Sequence, residues 1–263
     1  MQIYYYYHIS KTGGTSMIDF FNHIVENVPN CVVYDYNDWD KLPPNPKDID
    51  FDRILSEDNV SKHDYIFIHH HHGYRGLLHY REYLIRKKEE LKRRGHRMKI
   101  FTTIRDVLSF NNSRLNYLRN ARKWKGGIAG FLTNEIHFNV QTKYLLFCWH
   151  GEWPSTEGSI TIDVVNEEVN EKNVEKVAEV IDLFVEISHL SEFIQALSGY
   201  FKTSYNSSHR SNTSVHHLNF DSHASELLRL NKMDCYLLQK YSNKDFKREV
   251  DDFLNKIPSN KTT

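Results

Sequence analysis

Apolar and polar positions along the chain alternate between two periods. Residues 2–8, Gln2-Ile3-Tyr4-Tyr5-Tyr6-Tyr7-His8, are aromatic and β-prone, which predicts a buried strand. After a short loop, Ile9 to Gly14, the residues Met17, Ile18, Phe20, Phe21, Ile24, Val25 and Val28 recur at helical spacing and predict a helix over residues 15–28. Cys31 to Tyr34 and Tyr65 to Ile68 read as short strands, the second running into four histidines, His69 to His72, and Gly73. The polar stretch 36–62 between them holds Pro43, Pro44 and Pro46 and is read as irregular. Leu77 to Arg94 reads as a helix closed by Gly95, and Met98 to Thr103 as a strand. Residues 106–123 and 128–148 read as two helices parted by Gly126-Gly127. Ser159–Asp163 reads as a strand, 170–182 as a helix and Leu183–Ile187 as a strand; the remainder is mainly helical around a polar loop, Ser204 to Ser214. Alternating strands and helices predict an α/β fold of three layers, a central parallel sheet flanked by helices. Neither a repeat nor a composition shift divides the chain, so residues 1–263 are expected to form a single domain.

Composition narrows the classes of partner. Lys+Arg and Asp+Glu both number 34, so the formal net charge is zero and an anion site must come from local placement of charge. Bulk basicity gives no reason to expect nucleic-acid binding. Three cysteines, Cys31, Cys148 and Cys235, have no paired spacing, which argues against a disulfide framework and for a reducing compartment. No stretch has the length of a transmembrane segment and the first residues do not form a signal peptide, so a cytoplasmic location is expected. The basic positions Arg75, Arg119, Arg122, Lys123 and Lys125 are read as surface charge, and Trp124, Trp149 and Trp153 as packing residues. Oligomeric state is not legible.

Chemistry concentrates first at His8-Ile9-Ser10-Lys11-Thr12-Gly13-Gly14-Thr15-Ser16, between the first strand and the first helix. A strand–glycine loop–helix junction makes the fold P-loop-like. It offers exposed N–H groups and the favourable end of the helix dipole to an anion. Lys11 adds a point charge, Gly13 and Gly14 allow close backbone approach, and Thr15 and Ser16 add hydroxyls, with Thr12 also expected in the cofactor-binding loop. Lys11 precedes the glycines, whereas the nucleotide triphosphate loop GxxxxGK[ST] places its lysine after them, so that motif is not matched. A second candidate is Phe101-Thr102-Thr103-Ile104-Arg105-Asp106, a strand ending in an arginine. Ser113 follows Arg105 by eight residues, so both side chains are expected to converge near a helix start on a second phosphate. The alternative is an ordinary Arg105–Asp106 ion pair.

Taken together these segments resemble the PAPS-dependent sulfotransferases, closest to the carbohydrate branch that includes the heparan sulfate 2-O enzymes. The first is similar to that family's 5′-phosphosulfate loop, H-x-P-K-T-G-G-T-[ST], with Ser10 for proline. The second is similar to its 3′-phosphate motif, R-D-P-x-x-R-x-x-S, with Val107 for proline and Phe110 for the second arginine. Asn139-Val140-Gln141-Thr142-Lys143-Tyr144-Leu145 resembles N-x-Q-[TS]-R-x-L, and Asn231 to Leu238 resembles N-x-x-D-x-x-L-Y. The resemblance implies 3′-phosphoadenosine-5′-phosphosulfate (PAPS) as donor, adenosine 3′,5′-bisphosphate as product, no required metal, and a hydroxyl acceptor, a glycan by the branch. It also implies a minor phosphate role for Arg210 in a cofactor-covering loop.

The histidine run admits three readings: a metal site, strand-end histidines with local hydrogen bonds, or a catalytic base. Four consecutive residues on an extended segment alternate faces and do not all converge on a metal. Phe67 to Tyr74 aligns with the family segment F-I-H-G-H-V-x-F, and the resemblance implies that the second histidine, His71, is the base, with His69 next. His69 and His71 share a strand face by period two, and both are expected to face a cleft. Lys11 is expected to stabilise charge on the leaving phosphate. A small-molecule or nucleotide kinase and a non-catalytic nucleotide-binding protein are the alternatives.

Overall fold

The computed structural model describes residues 1–36, 49–71, 75–147, 166–205, 218–242 and 244–255. Among the described residues five strands form one sheet: β1 (Gln2–Tyr7), β2 (Cys31–Tyr36), β3 (Tyr65–His70), β4 (Arg97–Ile104) and β5 (Leu183–Glu186). Their order is β2-β3-β1-β4-β5, and every pairing is parallel. The helices are α1 (Gly14–Asn27), α2 (Phe51–Ile54), α3 (Glu57–Lys62), α4 (Leu77–Arg93), α5 (Val107–Arg122), α6 (Ile128–Leu132) and α7 (Val140–Phe147), followed by α8 (Glu171–Ala178), α9 (Leu190–Tyr200), α10 (Ala224–Leu230), α11 (Lys232–Tyr241) and α12 (Phe246–Asn255). No helix among the described residues is long and apolar enough to cross a membrane.

A parallel sheet is covered on both faces, so its central strand carries no polar alternation. In β1, Ile3, Tyr5 and Tyr7 enter one core with residues of α4, α7 and α8, whereas Tyr4 and Tyr6 enter the other with residues of α1, α9 and α12. This is the three-layer α/β arrangement expected from the strand–helix alternation. Four buried tyrosines in a row are tolerated because each phenol finds a partner. Tyr4 donates to Gln2 Oε1 at 2.8 Å, Tyr7 donates to the Tyr144 carbonyl at 2.6 Å, Tyr5 pairs with His70 Nδ1 at 2.7 Å, and Tyr6 pairs with Thr103 Oγ1 at 2.8 Å. A third cluster packs Val107, Leu115 and Leu118 of α5 against Phe131, Phe220 and Leu227 beside the sheet.

Two expectations change. Within the stretch read as irregular, residues 51–62 hold α2 and α3. Asp50 accepts from Arg53 N at 3.0 Å and Ser56 from Asn59 N at 3.3 Å, so two short caps nucleate turns that bury Phe51, Ile54 and Val60. The single helix expected over 128–148 is broken into α6, a 3₁₀ turn (Glu135–His137) and α7. Asn139, with φ 52°, stands in the left-handed region between the last two and interrupts the helical path. The strand expected at Ser159–Asp163 lies outside the described residues.

After β1 the chain passes to β2 at one edge of the sheet; after β4 it passes to β5 at the other. The C-terminal ends of β1 and β4 therefore flank the topological switch point, where open α/β sheets bind ligands.

Candidate active site

Leaving β1, the His8 amide donates to the His70 carbonyl at 2.9 Å, and the chain then turns away from the sheet. Lys11 (φ 66°) and Gly13 (φ 91°) take left-handed backbone conformations that wind the loop onto α1. Gly13 caps α1 without a side-chain acceptor, so the first-turn N–H groups keep the orphan donors and the dipole end that attract an anion. A Cβ on Gly13 would stand 2.4 Å from Leu190 Cδ2, and one on Gly14 would stand 1.8 Å from His8 Cε1. Gly14 thus makes room for the His8 ring, a role the sequence alone does not suggest. Thr12 is fully buried, donates to the Ile9 carbonyl at 2.6 Å and meets Thr103 Oγ1 at 2.7 Å. Its hydroxyl ties the loop to β4. Thr15 is exposed and Ser16 half-buried in the first turn of α1.

Arg105 stands just past the end of β4, beside this loop. Its Nη1 donates to the Lys11 carbonyl at 3.3 Å and its Nε to Ser109 Oγ at 2.9 Å. Asp106 forms no direct ion pair with the guanidinium among the described residues, but its charge acts on Arg105; it accepts from the Ser109 hydroxyl and caps α5 by accepting from Ser109 N at 2.8 Å. Ser109, rather than Ser113, is the hydroxyl that meets Arg105, because one helical turn separates them. Ser113 lies a turn further along the same face and is buried. Lys11 Nζ lies 4.6 Å from the centre of the Tyr117 ring. Neither Lys11 nor Arg105 forms an ion pair among the described residues. Burial, then the neighbouring Arg105 charge, hold the Lys11 ammonium below the usual lysine range, and burial also lowers Arg105. Two partly desolvated cations side by side, with only the Asp106 charge acting on Arg105, make an electrostatic site for an anion.

The Arg105 backbone is itself clamped. Gln141 Oε1 accepts from Arg105 N at 2.9 Å, and Gln141 Nε2 donates to Arg105 O at 2.8 Å. Gln141 sits at the start of α7, where Asp234 accepts from Gln141 N at 3.2 Å and from Thr142 N at 2.8 Å. Reciprocally, Asn139 Oδ1 accepts from Met233 N at 2.9 Å at the start of α11, and Asn231 Oδ1 accepts from Asn139 N at 2.8 Å. The two C-terminal motifs therefore cap each other's helices, and their common product is a fixed Arg105.

The histidines divide as period two demands. His70 turns to the opposite face, against Tyr5 and Tyr80. His69 shares a face with His71 but does not reach the cleft: its side chain is 1% exposed, with Nδ1 2.7 Å from Asp35 Oδ1 and Nε2 3.2 Å from His8 Nδ1. His71 is half-buried at the sheet end, stacked on His8 with ring centres 3.8 Å apart. Its Nδ1 donates to the His8 carbonyl at 3.1 Å and also lies 3.1 Å from the Tyr144 hydroxyl oxygen, so the neutral ring carries its lone pair on Nε2. Tyr144 donates its hydroxyl to the His71 carbonyl. Sequence reasoning missed Asp35, Ser109, Tyr117 and the lateral role of His8; these contacts join separate elements and leave no local pattern. His72, Gly73, Tyr74, Trp149, Trp153 and Arg210 lie outside the described residues. Trp124 packs edge-on against Phe131 and His137.

No protein-family model matches the chain, and no curated protein matches it. A solved structure of a sulfotransferase from Alicyclobacillus acidocaldarius is similar to it with a TM-score of 0.47 and 11% identity, over 90% of this chain and 93% of that one. The residues of the site, not this similarity, carry the functional argument.

Proposed function

We propose that this protein is a sulfotransferase that moves a sulfuryl group from PAPS to an acceptor hydroxyl, a carbohydrate by the likeness of its loop motifs to the glycan-modifying branch. One observation carries the reading: Lys11 and Arg105, the cations of two separate motifs, meet at the switch point, each partly desolvated and neither in an ion pair among the described residues. A doubly phosphorylated nucleotide fits that donor set, because the loop and first turn of α1 offer N–H groups and Lys11 to one phosphate while Arg105 and Ser113 offer a fork and a hydroxyl to the other.

Bound there, PAPS supplies the sulfuryl group, whose bond to the 5′-phosphate oxygen breaks as the bond to the acceptor oxygen forms. His71 Nε2 takes the proton of the acceptor hydroxyl. Lys11 and the α1 amides stabilise the charge that gathers on the leaving phosphate. Gln141, by holding the Arg105 backbone at both polar atoms, fixes one end of the nucleotide so that the other reaches the histidine.

The test is transfer of labelled sulfate from PAPS to a panel of glycan hydroxyls, with binding of adenosine 3′,5′-bisphosphate measured by calorimetry. His71→Ala is expected to lose about a hundredfold in transfer while still binding the bisphosphate. Preference for ATP with Mg²⁺ over the bisphosphate would identify a kinase, and bisphosphate binding without transfer to any acceptor would identify a binding protein; either result overturns the proposal.

A further inference from the structure

Asp35, His69 and His8 form a column of hydrogen bonds that ends beneath His71. Asp35 stands on the edge strand β2, paired in register with His69 on β3. A carboxylate only accepts, so the 2.7 Å contact makes His69 Nδ1 the donor and leaves its lone pair on Nε2. That nitrogen then accepts from His8 Nδ1 across 3.2 Å. With both rings neutral, the direction of each bond follows from the first. The His69 ring lies on the Tyr6 ring at 5.5 Å, and the His8 ring lies on Tyr6 at 5.5 Å and over the bare Cα of Gly14, so neither swings without disturbing the core. His71 uses His8 twice, stacking on its ring and donating to its carbonyl.

We infer that Asp35, His69 and His8 are positioning residues: they lock His8 in the Nδ1–H tautomer and so fix the platform that aims His71 Nε2. This rests on the sulfotransferase reading for its kinetic consequence, but the column itself is a property of the resting protein. In this role the column orients the base.

Histidine-labelled protein at pH 8 reports each tautomer directly through two-bond proton–nitrogen correlations, with signals assigned from single substitutions. In the parent chain His8, His69 and His71 are expected as Nδ1–H. In Asp35→Ala, His69 and His8 are expected to pass to Nε2–H, with kcat for sulfate transfer falling about tenfold or more and KM for PAPS unchanged. Asp35→Asn keeps an accepting oxygen and should retain both tautomers and rate. His69→Gln cuts the link to Asp35 yet still offers an oxygen to His8, which should remain Nδ1–H. The inference is overturned if His8 and His69 stay Nδ1–H in Asp35→Ala, if the tautomers change while kcat does not, or if His8 in His69→Gln does not remain Nδ1–H. Absence of transfer by the parent chain would sink the sulfotransferase reading alone, since the tautomers are read without turnover.

Discussion

Lys11 and Arg105 are uncomfortable neighbours until an anion arrives, and their burial sets the scale of the effect. Charge-assisted hydrogen bonds contribute about 1.5–3 kcal/mol each. Lys11→Ala and Arg105→Ala are therefore each expected to weaken bisphosphate binding by about ten- to a hundredfold, measured by calorimetry, with little change in melting temperature. Arg105→Lys should recover only part of the loss, because a point charge does not reproduce the fork that reaches both Lys11 O and Ser109. Gly14→Ala is expected to displace the His8 ring and abolish transfer while sparing the first-turn amides. Lys11, Arg105, Gly13 and Gly14 were legible because they sit in contiguous motifs at a strand end. Asp35 was not, since nothing local distinguishes it from other surface acids; register on β3 alone puts it beside His69.

At the scale of elements, α7 and α11 start against one another. Asp234 is fully buried and satisfies two amides and the Thr142 hydroxyl; burial pushes its carboxyl up, and those donors and Lys143 pull it back down. Removing a side chain that caps a helix and leaves buried donors unpaired costs about 1–3 kcal/mol. Asp234→Ala is thus expected to lower the melting temperature by several degrees, checked by calorimetric unfolding. Gln141→Ala should change stability less but weaken bisphosphate binding, because the amide that grips both polar atoms of Arg105 is gone. If Gln141→Ala binds the bisphosphate as tightly as the parent, the clamp does not position the phosphate site. The motif residues Asn139, Gln141, Asn231 and Asp234 were visible in the sequence, but their mutual capping spans more than ninety residues, as in the Gln141–Asp234 pair.

For the whole molecule, acid stability follows from a buried imidazole. His137 Nδ1 accepts from Arg114 at 2.7 Å, which requires the neutral ring, and burial followed by the Arg114 and Lys143 charges lowers its pKa from 6.5 to about 3. Below 6.5 the unfolded chain binds a proton that the folded chain refuses, so this contribution is complete above 6.5 and is lost as pH falls toward 3. His137→Phe should flatten the pH dependence of unfolding across that window, measured by denaturant titration at several pH values. Saturating adenosine 3′,5′-bisphosphate should raise the melting temperature, by about 2.7 kcal/mol of stabilisation at a hundred times its dissociation constant, and ATP should do less. The amino-acid order by itself determined the five described strands, the long helices α1, α4 and α5 and the loop that follows β1, because backbone periodicity, glycine and lysine act over a few residues, whereas α2, α3 and the break before α7 hang on side-chain caps and one left-handed residue. Only the tertiary structure decided that Arg105 meets Lys11, that His69 is spent on Asp35 and His8, and that His71 stands half-buried at the sheet end against His8. Those relations depend on strand order and register, which arise when distant segments bury their apolar faces together.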